Sequence, residues 1–97
     1  MRESTIETYL RTQVQRAGGK AYKWSSPNSR GVPDRICFFP LGWVYLVECK
    51  ATDKVPTPLQ AKVIRSLRVM GHVVLVIDSK EKVNSFINMV KEDLNGQ

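Results

Sequence analysis

The chain has 97 residues, 42% of them hydrophobic and 25% charged, which fits one small globular domain and argues against a disordered segment. Its 15 lysines and arginines outnumber its 9 aspartates and glutamates, and the net charge of +6 favours polyanionic partners. No apolar run approaches the roughly 20 residues of a membrane helix, and Arg2, Glu3 and Glu7 do not read as the start of a signal peptide, so a cytoplasmic protein without a membrane partner is expected.

Ser4 is placed to cap a first helix running to about Ala17, with Ile6, Tyr9, Leu10, Val14 and Ala17 as its apolar stripe and Gly18-Gly19 as its stop. Glu7 falls at the edge of the stripe, about 20° beyond Val14 on a helical wheel. Ser4-x-x-Glu7 is also a capping box, so a purely structural role is open to Glu7. Lys20 to Trp24 reads as a short strand. Ser25 to Gly31 is a polar loop punctuated by Pro27, Asn28 and Gly31. Its Ser26, Asn28 and Arg30, with Lys23 before it and Arg35 after it, suit contacts to phosphate, and a plain connecting turn is the competing reading.

Two apolar arms follow, Ile36 to Phe39 and Trp43 to Val47, joined by Pro40-Leu41-Gly42 as a three-residue hairpin loop. Pairing Phe39 with Trp43 and counting back sets Asp34 opposite Glu48. Directly opposed side chains have Cβ atoms roughly 5 Å apart, so two carboxylates there need a positive charge between them. Lys50, two residues beyond Glu48, projects from the same face. Ile36, Phe38, Val44 and Leu46 line one face of the hairpin, and Cys37, Phe39, Tyr45 and Val47 the other. A hairpin apolar on both faces calls for helices on both. Cys37 opposes Tyr45 rather than Cys49, so no disulfide is expected, and two buried thiols fit a reducing compartment. His72 and the absence of CxxC leave no zinc site.

Thr57-Pro58-Leu59-Gln60 opens the second helix, with Gln60 at the capping-box position. Leu59, Val63, Leu67 and Met70 are expected to face the core, with Lys62, Arg65 and Arg68 turned away and Gly71 ending the helix. Val73 to Ile77 reads as a fully buried parallel strand reached by a right-handed crossover. Ser79 caps a last helix built on Val83, Phe86, Ile87, Val90 and Leu94, and Asn95-Gly96-Gln97 is expected to fray.

Pro33-Asp34 followed by Glu48-Cys49-Lys50 matches the PD-(D/E)xK nuclease signature. The wider string from Lys23 through Gly31-Val32-Pro33-Asp34-Arg35, continued by Pro58-Leu59-Gln60, Leu67-Arg68-Val69-Met70-Gly71 and Val76-Ile77-Asp78, resembles the VRR-NUC branch, the virus-type replication-repair nucleases. Asn28 departs from it, standing where members often have Gly. The resemblance implies a single α/β domain with a restriction-endonuclease-like core, order α-β-β-β-α-β-α, and a mixed central sheet flanked by helices. It implies a metal-dependent DNA endonuclease in which Asp34, Glu48 and the Cys49 main-chain carbonyl hold Mg²⁺, or Mn²⁺ as substitute. Glu7 matches its metal-associated acid on the first helix, with Glu3 in reserve, and Gln60 its glutamine near the catalytic face. Lys50 would position or deprotonate the attacking water. Branched DNA such as a four-way junction and a homodimer are implied for a stand-alone member; surplus apolar residues such as Met89, or the aromatic turn at Trp43, are candidates for its interface. A non-catalytic basic DNA-binding module and a flap or nicking nuclease are the alternatives.

Overall fold

The computed structural model describes residues 1–96. Its elements are α1 (Glu3–Arg16), β1 (Lys20–Lys23), β2 (Arg35–Phe38), a 3-10 turn (Pro40–Gly42), β3 (Val44–Cys49), α2 (Pro58–Val69), β4 (Val74–Ile77) and α3 (Lys80–Asn95). The strands form one mixed sheet ordered β1-β2-β3-β4, antiparallel across the first three and parallel between β3 and β4. The helical crossover α2 joins the parallel pair, as such a pair requires.

The hairpin has the register counted from its loop. The Phe39 N–H donates to the Trp43 carbonyl at 2.9 Å, and Arg35, Ile36, Cys37 and Phe38 face Val47, Leu46, Tyr45 and Val44. The turn uses two left-handed residues, Leu41 at φ 64° and Gly42 at φ 79°, and no bulge displaces the ladder.

Alternation of side chains puts Cys37, Phe39, Tyr45, Val47 and Cys49 on one face. There α1 supplies Ile6, Leu10 and Val14, and α3 supplies Val83, Phe86, Ile87 and Val90. Each large apolar side chain buried in this layer contributes about 1.5–3 kcal/mol. Phe39, Tyr45 and Phe86 meet edge to face with centroids 5.3 to 6.2 Å apart. The buried Tyr45 hydroxyl donates to Asp93 Oδ2 at 2.7 Å, which satisfies its polar tip and ties α3 to the sheet.

The second face is covered by α2 alone. Its capping box is formed, with the Gln60 N–H donating to Thr57 Oγ1 at 3.2 Å and the Thr57 N–H to Gln60 Oε1 at 2.9 Å. Ile64 is its buried anchor. Leu59 and Met70, expected in the core, are exposed, and Val63 and Leu67 are half-buried. The helix lies toward β4, with Ile64 near Val76, so a neighbouring stripe faces inward. Phe38 and Val44 are consequently 44% exposed.

Ser4 does not cap α1. The helix begins at Glu3 after Arg2, which makes no side-chain cap, and the Ser4 carbonyl accepts from Thr8 Oγ1 within the helix at 3.0 Å. No capping box therefore holds Glu7. β1 stops one residue short of Trp24, although the Trp24 N–H still donates to the Asp34 carbonyl at 2.8 Å. β4 is the edge of the sheet, not a fully buried strand, and Val73 before it is exposed. Arg68 covers the Val74 carbonyl there, donating from Nη2 at 2.6 Å and Nε at 3.1 Å, which blocks stray pairing along that edge. α3 is capped by Ser79 and continues through Asn95, so the expected fraying does not reach that residue; Gln97 lies outside the described residues.

Tyr45→Phe keeps the ring packing and strands Asp93. Stability is expected to fall by about 1–3 kcal/mol, read as a lower urea midpoint at unchanged slope.

Candidate active site

Phe39 and Trp43 form a hydrogen-bonded pair, so alternation makes Cys37–Tyr45 and Arg35–Val47 the next two, and residues 33 and 49 the one after. Residue 33 is a buried proline, which has no N–H to give to the Cys49 carbonyl. The ladder ends there and side chains take over. The Cys49 N–H donates to Asp34 Oδ1 at 3.1 Å, and the Asp34 N–H donates to Glu48 Oε1 at 3.2 Å. The Cys49 carbonyl lies on the same strand edge as its N–H, toward Asp34.

Lys50 Nζ lies 3.3 Å from Glu48 Oε2, with their side chains 13% and 4% exposed. A solvated surface pair would contribute about 0–1 kcal/mol; this one is enclosed. Burial holds the Glu48 carboxyl above its ordinary value, against the pull of Lys50. Beyond Lys50 the chain is fixed by the Thr52 N–H donating to the Met1 carbonyl at 3.1 Å and by Thr52 Oγ1 donating to the Asp78 carbonyl at 3.1 Å.

α1 closes the site. Glu3 and Glu7, one helical turn apart, each offer a carboxylate oxygen, and these lie with one of Asp34 within 4.8 Å of one another. Both the expected acid and its reserve reach Asp34. Burial raises the Asp34 carboxyl to about 7, with the charge of Glu48 and contact with Glu7 adding to the rise and the Cys49 N–H opposing it. A cation would relieve the desolvation and the repulsion together. The donors are all oxygens and fit a hard ion with ligands at about 2.0–2.6 Å better than they fit zinc.

No family model matches the sequence. The chain is 46% identical over 81 residues to the protein named "Putative nuclease p44" of Acyrthosiphon pisum secondary endosymbiont phage 1, a match spanning 84% of this chain and 87% of that one. A solved structure described as a VRR_NUC domain matches with a TM-score of 0.84 at 28% identity, covering 89% of this chain and 94% of the other. The chain belongs to the VRR-NUC nuclease family.

In this VRR-NUC domain Lys23, Asn28 and Arg30 are exposed and Ser26 is half-buried. Gly31 fixes where their loop meets α2. Its φ is 85°, and a Cβ on it would stand 3.1 Å from the Leu59 carbonyl oxygen, so only glycine fits. The contact brings the start of α2, with Gln60 next to Leu59, up to the loop; the Oε1 of Gln60 is already taken by its cap. Arg35 departs from the expectation. Expected just after the loop as an accessible cation, it opens β2 and is only 9% exposed. Glu3 is the member of the site that sequence reasoning ranked too low; its signal was the i, i+4 spacing to Glu7.

The raised Asp34 carboxyl gives a pH dependence with a definite sign. Unfolded Asp34 loses its proton near 3.8 and folded Asp34 near about 7, so its contribution to stability falls as pH rises between those values and is level above them. In chelator, Asp34→Asn removes this slope. Its melting temperature relative to the parent should climb from about pH 4 to about pH 7 and then level off. A constant difference would contradict a buried, mutually repelling acid.

Proposed function

We propose that this VRR-NUC nuclease is a metal-dependent DNA endonuclease of branched DNA that works as a homodimer. The observation carrying the reading is the meeting of Asp34 with Glu3, Glu7 and Glu48 beside an enclosed Lys50. Asp34, Glu7 or Glu3 and the Cys49 carbonyl would hold Mg²⁺, with Mn²⁺ as substitute, and Glu48 would join them or hold Lys50 in place. A divalent ion bound there supplies charge neutralisation at the phosphoryl oxygens and makes water acidic enough to attack at neutral pH.

The chain's own groups do the rest. Lys50, oriented by Glu48, directs the attacking water or takes its proton, and its charge offsets the negative charge that builds on the phosphate. The water oxygen forms the new bond to phosphorus, the bond to the leaving oxygen breaks, and that oxygen is protonated. Lys23, Ser26, Asn28 and Arg30, with the remaining amide nitrogen of Gln60, would take the flanking backbone, in line with the net charge of +6.

A single site cuts one strand per encounter. Branched DNA with twofold character matches a twofold pair of sites. Met89 and Trp43, the first candidates for an interface, pack against the core and are half-buried. The exposed apolar residues Tyr22, Phe38, Val44 and Val73 offer a patch that a second copy would cover.

Labelled flaps, forks and four-way junctions incubated with Mg²⁺ or with chelator test the activity. Cleavage is expected with Mg²⁺ alone. Lys50→Ala should lower it by at least about 10²-fold with DNA affinity nearly unchanged, since one cation of many is removed. Near-normal turnover in that variant would take Lys50 out of the mechanism. For assembly, sedimentation at micromolar concentration should give a dimer, and cruciform plasmid should receive paired nicks. A monomer giving single nicks would favour a flap or nicking nuclease.

A further inference from the structure

Arg35 follows Asp34 in the chain and points to the face of β2 that α1 covers. It is 9% exposed, and its Nε is sealed from solvent with no hydrogen-bond acceptor. The ion pairs formed among the described residues are Lys50–Glu48 and Lys82–Asp78, and neither involves Arg35. A buried cation without an anion is costly, so such a position calls for a partner from outside.

Its neighbours in the sheet supply none. Val47 stands opposite on β3, and Lys23 stands opposite on β1. Like charges directly opposed across a ladder repel, with Cβ atoms roughly 5 Å apart. Glu7, the acid that α1 carries above this face, is engaged with Asp34. Arg35 is bonded in sequence to Asp34, so its cation stands one residue from the acidic cluster. The result is an exposed ammonium and a mostly buried guanidinium side by side, unneutralised, at the margin of the acidic cluster.

We propose that Lys23 and Arg35 form a phosphate-binding subsite that takes the nucleic-acid backbone phosphate neighbouring the one at the Asp34 cluster. The inference rests on the nuclease reading of that cluster. Arginine presents a planar fork matched to two phosphate oxygens, and lysine adds a point charge, so one phosphate satisfies both cations and removes their repulsion. The subsite would fix the register of the strand without reading its sequence.

The test uses the full chain with Ca²⁺ in place of Mg²⁺ and a fluorescein-labelled fork, under conditions where no cleavage is detected. Affinity is measured against salt for the parent, Lys23→Ala and Arg35→Gln. Each variant should flatten the log–log salt slope by about one unit. A single uncharged methylphosphonate is then walked along the strand. At one position beside the cut bond it should weaken the parent several-fold and each variant, which keeps one of the two cations, by clearly less, a difference that loss of packing alone would not produce. Lys23 is exposed at the end of β1, so Lys23→Ala reads the same subsite should Arg35→Gln fail to fold. A folded Lys23→Ala with the parental salt slope, or a methylphosphonate penalty as large in the variants as in the parent, overturns the proposal. Failure of the nuclease reading is seen separately, as a parent that binds DNA and does not cut it with Mg²⁺.

Discussion

The site depends on how one antiparallel ladder ends. Asp34 and Glu48 stand opposite each other just where Pro33 withdraws the N–H that would have continued the pairing. Had residue 33 carried an N–H, it would have met the Cys49 carbonyl and the strand would have closed. The Asp34 side chain instead takes the Cys49 N–H, and Glu48 takes the N–H of Asp34. Two carboxylates are thereby held against each other by their own backbones, with little freedom to swing apart.

Everything else in the fold serves or tolerates that opposition. The aromatic layer of Phe39, Tyr45 and Phe86 anchors the hairpin on one side. α1 rests on the same layer through Ile6, Leu10 and Val14, and the helix edge beside that stripe delivers Glu3 and Glu7 to Asp34. The site is therefore a concentration of negative charge within a chain of net charge +6. In a partly buried setting such repulsion is weakly screened and must be met by protons or by a cation. On the proposed reading a divalent ion meets it, and the surrounding excess of lysine and arginine brings the polyanion.

The fold was legible where local chemistry had one solution. Pro40-Leu41-Gly42 between β-branched and aromatic arms fixes the loop, the loop fixes the register, and the register sets Asp34 against Glu48. Thr57 and Gln60 form the cap that their spacing announces. Legibility ended where tertiary position chose among equivalents. α2 carries more than one apolar stripe, and its place over β4 selected Ile64 over Leu59 and Met70. Five successive apolar residues at Val73 to Ile77 do not distinguish a central strand from an edge strand covered on both faces. Glu3 stood in reserve to Glu7, and only the placement of Asp34 beneath α1 brings both acids to it. Arg35 read as an accessible cation because nothing local said that its side chain turns to the face that α1 covers.

If the end of the ladder is a metal centre, anomalous diffraction from crystals grown with Mn²⁺ will show it. One strong peak is expected, bonded to an Asp34 carboxylate oxygen and the Cys49 carbonyl at about 2.0–2.6 Å, with Glu3 or Glu7 reaching it directly or through water. Crystals of active protein with no density there, or with Mn²⁺ held only by acids elsewhere such as Asp53 and Asp78, would contradict it.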